Sequence, residues 1–262
     1  MPSEPFGLSH SMSAEHLAEP PSKSVLVSVV VPCCGQLEYT RLCVSSLLRH
    51  SRRPYELIFV DLESMDGTAD YLAGVLAAAN VSVQVLRLSG NAGFAEALNR
   101  GISLANGEYV VLLNNDTIVT SFWLEHLLAL ADSSPTIGVV GAMSNCAPLN
   151  QSVGAIPYRL GTKSGTAGIP DNTNGRPPID TEPVNRFAQQ WTQENRGQWF
   201  EADRLSPFCL MFKRQTLVHV LPLQAKTFFT FDEDAVFRRI REAGFQIACC
   251  RDLFIHYFAS RP

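Results

Sequence analysis

Apolar residues in this chain follow two rhythms. From Val25 to Val31 they are nearly continuous and mostly β-branched, closed by Pro32. A strand buried on both faces of a parallel sheet reads this way, whereas strict alternation marks a strand with one wet face. Tyr55–Val60 and Tyr109–Leu113 repeat the pattern, and Val81–Leu88 is a further predicted strand. Between them the spacing turns helical over Leu42–His50, Thr68–Ala79 and Phe94–Ala105, with Asp66-Gly67-Thr68 marking a helix start and Thr68 the expected N-cap. Strands alternating with helices from Val25 to Leu113 predict an α/β fold with a doubly wound, mostly parallel sheet flanked by helices.

The second half is less regular. It predicts helices over Phe122–Ala131 and Asn185–Asn195, then one over Asp232–Ala243 ended by Gly244. Strands are expected at Ile137–Met143, at Phe208–Phe212 after a lead-in from Trp199 to Arg204, and at Phe245–Cys250. Residues Gly154 to Pro183 are rich in Gly, Pro, Thr and Asn, the composition of a long functional loop or lid.

Ligands of such sheets bind beyond the carboxyl ends of the strands. Topology therefore directs attention to Cys33-Cys34, Asp61, Gly90-Asn91 and Asn114-Asn115-Asp116. A carboxylate at the edge of a strand, as in Asp116, can bind a hard divalent cation that neutralises a diphosphate, although Asn and Asp are also ordinary turn residues. Asp61 can accept from a nucleobase N–H or a ribose hydroxyl, or it can simply make an Asx turn. Asp232-Glu233-Asp234 opens a predicted helix, where acids favour the helix dipole, and one of them could instead be a general base. His256 offers an imidazole to a metal or to the core.

Composition narrows the field. The 262 residues carry a net charge of -4, with 46% hydrophobic and 18% charged residues, and the mild acidity speaks against a nucleic-acid partner. Seven cysteines include two vicinal doublets and no CxxC pair, which fits free thiols in a reducing compartment. With no signal peptide and no apolar run long enough to span a bilayer, a cytoplasmic protein is expected, compatible with work at the inner face of the membrane. Residues 1–23, rich in Ser, Pro and Glu, are expected to form a disordered leader. No GxGxxG follows the first strand, against a dinucleotide-binding domain. Cys33-Cys34-Gly35 also lacks the basic residues of a nucleotidyltransferase loop.

The motifs gain specificity from their order. Ser28-Val-Val-Val-Pro32, Val60-Asp61 with Asp66-Gly67-Thr68, Asn91-Ala-Gly-Phe94 with Ala97-Leu-Asn99 and Gly101, and Gly107-Glu-Tyr-Val-Val-Leu-Leu-Asn-Asn-Asp116 follow one another. Ser144-Asn145, Asn185-Arg-Phe-Ala188, Arg196-Gly-Gln-Trp-Phe200, Phe208-Cys-Leu-Met-Phe-Lys-Arg214, the acidic helix and Ile255-His256 continue the series. Together they resemble the family 2 glycosyltransferases of GT-A fold, and the later blocks resemble a bacterial subgroup often fused to other glycan-assembly domains.

The resemblance implies one domain over 24–262, with a nucleotide-sugar half at 24–120 and an acceptor and catalytic half at 121–262. Pro32, Asp61, Asn91, Asn114 and Asn115 would hold a UDP- or dTDP-linked sugar. Asp116 and His256 would hold Mn2+ or Mg2+, with Asn114 standing where the family's Asp-x-Asp motif has its first Asp. Strand two reads Asp61-Leu-Glu-Ser64 instead of the usual Asp-Asn-x-Ser. The family's Glu-Asp pair falls on Asp232-Glu233 in a gapless count back from Arg239, making Glu233 the base. A one-residue deletion moves it to Glu233-Asp234 and makes the base Asp234, which keeps the motif's letters. The implied activity is inverting transfer to a hydroxyl of a glycan or other acceptor, in polysaccharide or surface-glycan assembly. A degenerate domain that binds nucleotide or glycan without turnover is the alternative, and further domains and peripheral membrane contact are compatible partners.

Overall fold

A computed structural model describes residues 9–11, 26–89, 91–147, 149–161 and 179–260. In chain order its strands are β1 (Ser9–Ser11), β2 (Val27–Cys33), β3 (Tyr55–Leu62), β4 (Ser82–Leu88), β5 (Tyr109–Leu113), β6 (Thr117–Ile118), β7 (Ile137–Met143), β8 (Gln198–Glu201), β9 (Cys209–Lys213), β10 (Ala225–Thr227), β11 (Thr230–Phe231), β12 (Gln246–Phe254) and β13 (His256–Tyr257). The helices are α1 (Leu37–His50), α2 (Thr68–Ala78), α3 (Phe94–Leu104), α4 (Trp123–Asp132), α5 (Glu182–Glu194), α6 (Arg214–Val220) and α7 (Glu233–Glu242).

One nine-stranded sheet runs in the order β1-β8-β12-β7-β9-β5-β2-β3-β4. Strands β2 to β5, β7 and β12 share a direction; β9 and β8 oppose them, and β1, antiparallel to β8, runs with the majority. The sheet is therefore mixed and mostly parallel. Its continuous apolar strands are explained by two cores. Val29, Val31, Leu57, Phe59 and Val111 face α1, α2 and α4, while Val30, Ile58, Val60, Val110 and Leu112 face α3, α6 and α7. Both faces of each central strand are thus buried. Gly101 lets α3 approach closely, because a Cβ there would stand 2.3 Å from Val30 Cγ1.

Several elements depart from the sequence expectation. Pro32 lies inside β2 and does not end it: the ladder to β5 stops at Val30↔Leu112, and beyond it only β3 pairs, which is a place where a proline is tolerated. Thr68 is the first helical residue of α2 and not its cap. Gly67 occupies the cap position at φ 92, and Asp66 Oδ1 accepts from both Thr68 N and Thr68 Oγ1, at 3.2 and 2.7 Å. Within the expected leader, Ser9–Ser11 pairs with Gln198–Phe200 as an edge strand; the rest of residues 1–23 lies outside the described residues. The expected loop at Gly154 to Pro183 is described at both ends only, where Asp180 N donates to Gly161 O at 2.8 Å, and residues 162–178 lie outside the described residues. Helix α5 starts at Glu182 with Pro183 in its first turn, where a missing N–H leaves no bond unmade.

No helix among the described residues is long and apolar enough to cross a membrane.

Candidate active site

The strand order reverses around β2, with β3 and β4 on one side and β5 on the other. This is the switch point at which an open sheet leaves a crevice. A cavity of about 620 Å³ lies there, walled by Pro32 and Cys34 after β2, by Asn114, Asn115 and Asp116 after β5, and by Phe229, Glu233 and Tyr257 from the second half of the chain.

The turn after β5 is fixed by bonds to distant segments. Asn114 N donates to Phe208 O at 2.9 Å, and Asn115 Nδ2 donates to Thr40 Oγ1 at 2.8 Å and to Gly35 O at 3.3 Å. Asp116 is buried, and its Oδ2 accepts from Ser260 N at 2.8 Å and Ser260 Oγ at 2.6 Å. Burial raises the Asp116 pKa above the ordinary carboxylate value, and the bonds from Ser260 hold it back. Tyr257 stacks on Phe208 and accepts from Asn114 Nδ2 at 3.3 Å. Burial first, then the charges of Asp116 and more weakly Glu233, push its phenol up to about 12, so both carboxylates act on one ring.

The acidic triplet divides its roles by geometry. Asp232 caps α7, its Oδ1 accepting from Ala235 N at 3.0 Å. Glu233 turns into the cavity, where desolvation raises its pKa although the charge of Lys226 opposes the shift. Asp234 points outward to solvent and lies 3.3 Å from both Arg204 Nη1 and Lys226 Nζ; the hydrogen bond from Lys226, then its charge, lowers the Asp234 pKa. The gapless register therefore brings a carboxylate to the cavity, and the one-residue deletion does not.

Other expected site residues lie apart from it. Asp61, next to last in β3, is fully buried: its Oδ1 accepts from Ser64 N at 3.2 Å, while Oδ2 has no hydrogen bond and pairs with Arg87 Nε 3.4 Å away. Neighbouring Leu62 lines the cavity and Asp61 does not. Asn91 is exposed, its Oδ1 accepting from Ser89 Oγ at 2.6 Å; of its motif, Phe94 reaches the cavity wall. His256 differs most from expectation. Strand alternation in β13 sends Tyr257 to the cavity and His256 to the opposite side, where its Nδ1 lies 2.8 Å from Tyr158 Oη and its ring packs edge-on to Phe258. Burial there lowers its pKa to about 4. Asp116 lines the cavity and His256 does not.

A cation beside Asp116 would meet oxygen donors from the turn after β5: the Asp116 carboxylate and the amide oxygens of Asn114 and Asn115. That sparse set fits a hard ion that brings most of its ligands with it, as Mg2+ does when it shares substrate phosphates. Tyr257 and Ser260 went unnoticed in the sequence. The alternation that follows His256 was the available signal for Tyr257, whereas nothing local marks Ser260.

The model of Glycosyl transferase family 2 matches residues 28–159. The glycosyltransferase GlyG of Streptococcus pneumoniae serotype 4 (strain ATCC BAA-334 / TIGR4) is 33% identical over 122 residues, 47% of this chain and 40% of GlyG. TuaG of Bacillus subtilis (strain 168), a glycosyltransferase named for teichuronic acid biosynthesis, is 36% identical over 91 residues, 35% of this chain and 36% of that one. The match thus spans well under half the length of either relative. Among solved structures, the mannosyltransferase PcManGT from Pyrobaculum calidifontis, in complex with GDP-Man and Mn2+, superposes with a TM-score of 0.64 at 15% identity, covering 94% of this chain and 62% of that one. The likeness is one of fold, the GT-A arrangement of sheet and helices. With the family model spanning half of the sequence and the first four strands of the sheet's parallel half, the chain belongs to glycosyl transferase family 2.

Proposed function

We propose that the chain transfers a sugar from a nucleoside diphosphate sugar to a hydroxyl acceptor, with inversion at the anomeric carbon, in bacterial polysaccharide or surface-glycan assembly. The carrying observation is that Asp116 and Glu233 wall one cavity at the sheet's switch point, together with Tyr257. Family membership supports the reaction class, and the nucleotide sugar and Mn2+ bound by PcManGT favour the same donor class and a divalent ion.

In this reading Pro32, Asn114 and Asn115 wall the donor, and Asp61, buried off the cavity and paired with Arg87, does not reach its base. Asp116 with the neighbouring amide oxygens would hold Mn2+ or Mg2+, which when bound offsets the charge developing on the leaving diphosphate. Glu233 takes the acceptor's hydroxyl proton on a carboxylate oxygen as that hydroxyl attacks from the opposite face. Its raised pKa makes it a stronger base than an exposed carboxylate. Asp234, held by two cations at the surface, lacks both the position and the basicity.

One observation favours the second reading, a domain that binds without turnover: His256 faces away from the cavity and bonds Tyr158. The two are separated by incubating the protein with a panel of UDP-, dTDP- and GDP-sugars, glycan acceptors and Mn2+, and measuring nucleoside diphosphate release. Release that disappears in Glu233→Gln supports the transferase. Calorimetric binding of the free diphosphates without release from any donor supports the binding module.

A further inference from the structure

On the face of the sheet covered by α4, three side chains that the cavity does not use converge between α4 and β12. Cys250 and Asp252 stand two residues apart on one strand and so share a face, and His126 reaches them from α4. Asp252 Oδ1 lies 3.2 Å from His126 Nδ1 and 3.1 Å from Cys250 Sγ, and the three donor atoms all fall within 4.8 Å of one another. The second carboxylate oxygen, Oδ2, accepts from Gly197 N at 2.8 Å, which fixes the carboxylate's orientation.

We propose that His126, Cys250 and Asp252 form a binding site for a borderline-soft divalent cation, zinc foremost, separate from the site at Asp116. A tetrahedral zinc shell has Zn–S of about 2.3 Å and Zn–N and Zn–O of about 2.0–2.2 Å, which sets neighbouring donors roughly 3.3–3.6 Å apart. The two separations from Asp252 need only a few tenths of an ångström of expansion, and His126 and Cys250, within 4.8 Å of each other, would draw in around the ion. A mixed imidazole, thiolate and carboxylate set suits zinc and not the hard cations that oxygen sites select. The charges balance: Cys250 gives its Sγ proton to solvent, and the thiolate and the Asp252 carboxylate then match the ion's two positive charges, with neutral His126 as third ligand. Three protein ligands leave the fourth position to water, and His126, whose side chain keeps 15% of its surface open, gives the side of entry. The Gly197 bond supplies the outer support that ligating carboxylates commonly have. Occupation would pin α4 to β12 and to the turn between α5 and β8.

The test uses the whole chain, stripped by dialysis against a chelator and titrated with Co2+ as a spectroscopic probe. One equivalent should produce a near-ultraviolet thiolate-to-cobalt charge-transfer band that Zn2+ abolishes by displacement, and Zn2+ should raise the melting temperature. The band should vanish in Cys250→Ser, need more than about tenfold higher Co2+ in His126→Asn, and persist in Asp116→Asn and in Cys146→Ser, which removes the exposed thiol. Circular dichroism establishes that the metal-free variants fold; if Cys250→Ser does not, His126→Asn decides. A wild-type protein without the band, or a band unchanged in the folded Cys250→Ser or His126→Asn variant, overturns the proposal.

Discussion

Asp116 Oδ2 accepts both the backbone N–H and the hydroxyl of Ser260, at 2.8 and 2.6 Å, across 144 residues of chain. The last described residue thus holds the carboxylate that closes the turn after β5. These bonds favour the ionised form against the burial that raises its pKa, and ionised carboxylate is the form that binds a cation.

Ser260→Ala removes the hydroxyl bond and keeps the backbone one. Loss of an outer partner of a ligating carboxylate weakens metal affinity by roughly 10–100-fold. Calorimetry of Mn2+ with a nucleoside diphosphate should register that loss, with a larger one in Asp116→Ala. Unchanged affinity in Ser260→Ala would remove Ser260 from the support of Asp116.

Glu233 and Asp234 should separate cleanly in kinetics. Glu233→Gln should lower kcat by about 10²–10⁴-fold, the usual contribution of a general base, and Asp234→Asn should leave kcat nearly unchanged. Because the Glu233 pKa is raised, activity should fall with decreasing pH through a midpoint above the ordinary 4.5, and this limb should be absent from the residual activity of Glu233→Gln. The converse pattern in the two variants would move the base to Asp234.

His256 should shape stability against pH. Its pKa drops from 6.5 to about 4 in the folded chain, so between those values the unfolded state binds more protons and stability falls as pH falls. The full window is worth about 3 kcal/mol. Melting temperatures from pH 7 down to 4 should decline less steeply in His256→Phe than in the wild type. Parallel profiles would show that His256 does not titrate on unfolding.

Asn99 couples the first half of the chain to the segment leading to Glu233. Its Nδ2 donates to Leu223 O at 2.9 Å and its Oδ1 accepts from Leu223 N at 2.8 Å. Asn99→Leu leaves both backbone groups without their partners, at about 1–3 kcal/mol each where buried. Chemical denaturation should record a loss of about 2–4 kcal/mol, the lower figure reflecting water access to this half-buried pair.

Much of the fold was legible because its strands are buried on both faces. Tyr109–Leu113 and Ile137–Met143 have the predicted bounds in the structure, since only apolar residues satisfy two cores at once. Helix α6 and the β10–β11 and β6–β13 pairs were not anticipated, as segments of two to seven residues carry too few turns or alternations to show a period. In the site, Asn114-Asn115-Asp116 and the acidic helix start were visible as polar residues at the ends of apolar elements.

The sequence by itself determined the doubly wound sheet, the strand ends to inspect and the motif order that marks the family, because burial periodicity and strand ends are local properties. Tertiary structure alone decided which acid of Asp232-Glu233-Asp234 faces the cavity, that His256 turns to Tyr158, and that Ser260 holds Asp116. Side-chain direction at the first turn of a helix or in a two-residue strand depends on what packs against it, and those neighbours come from remote parts of the chain.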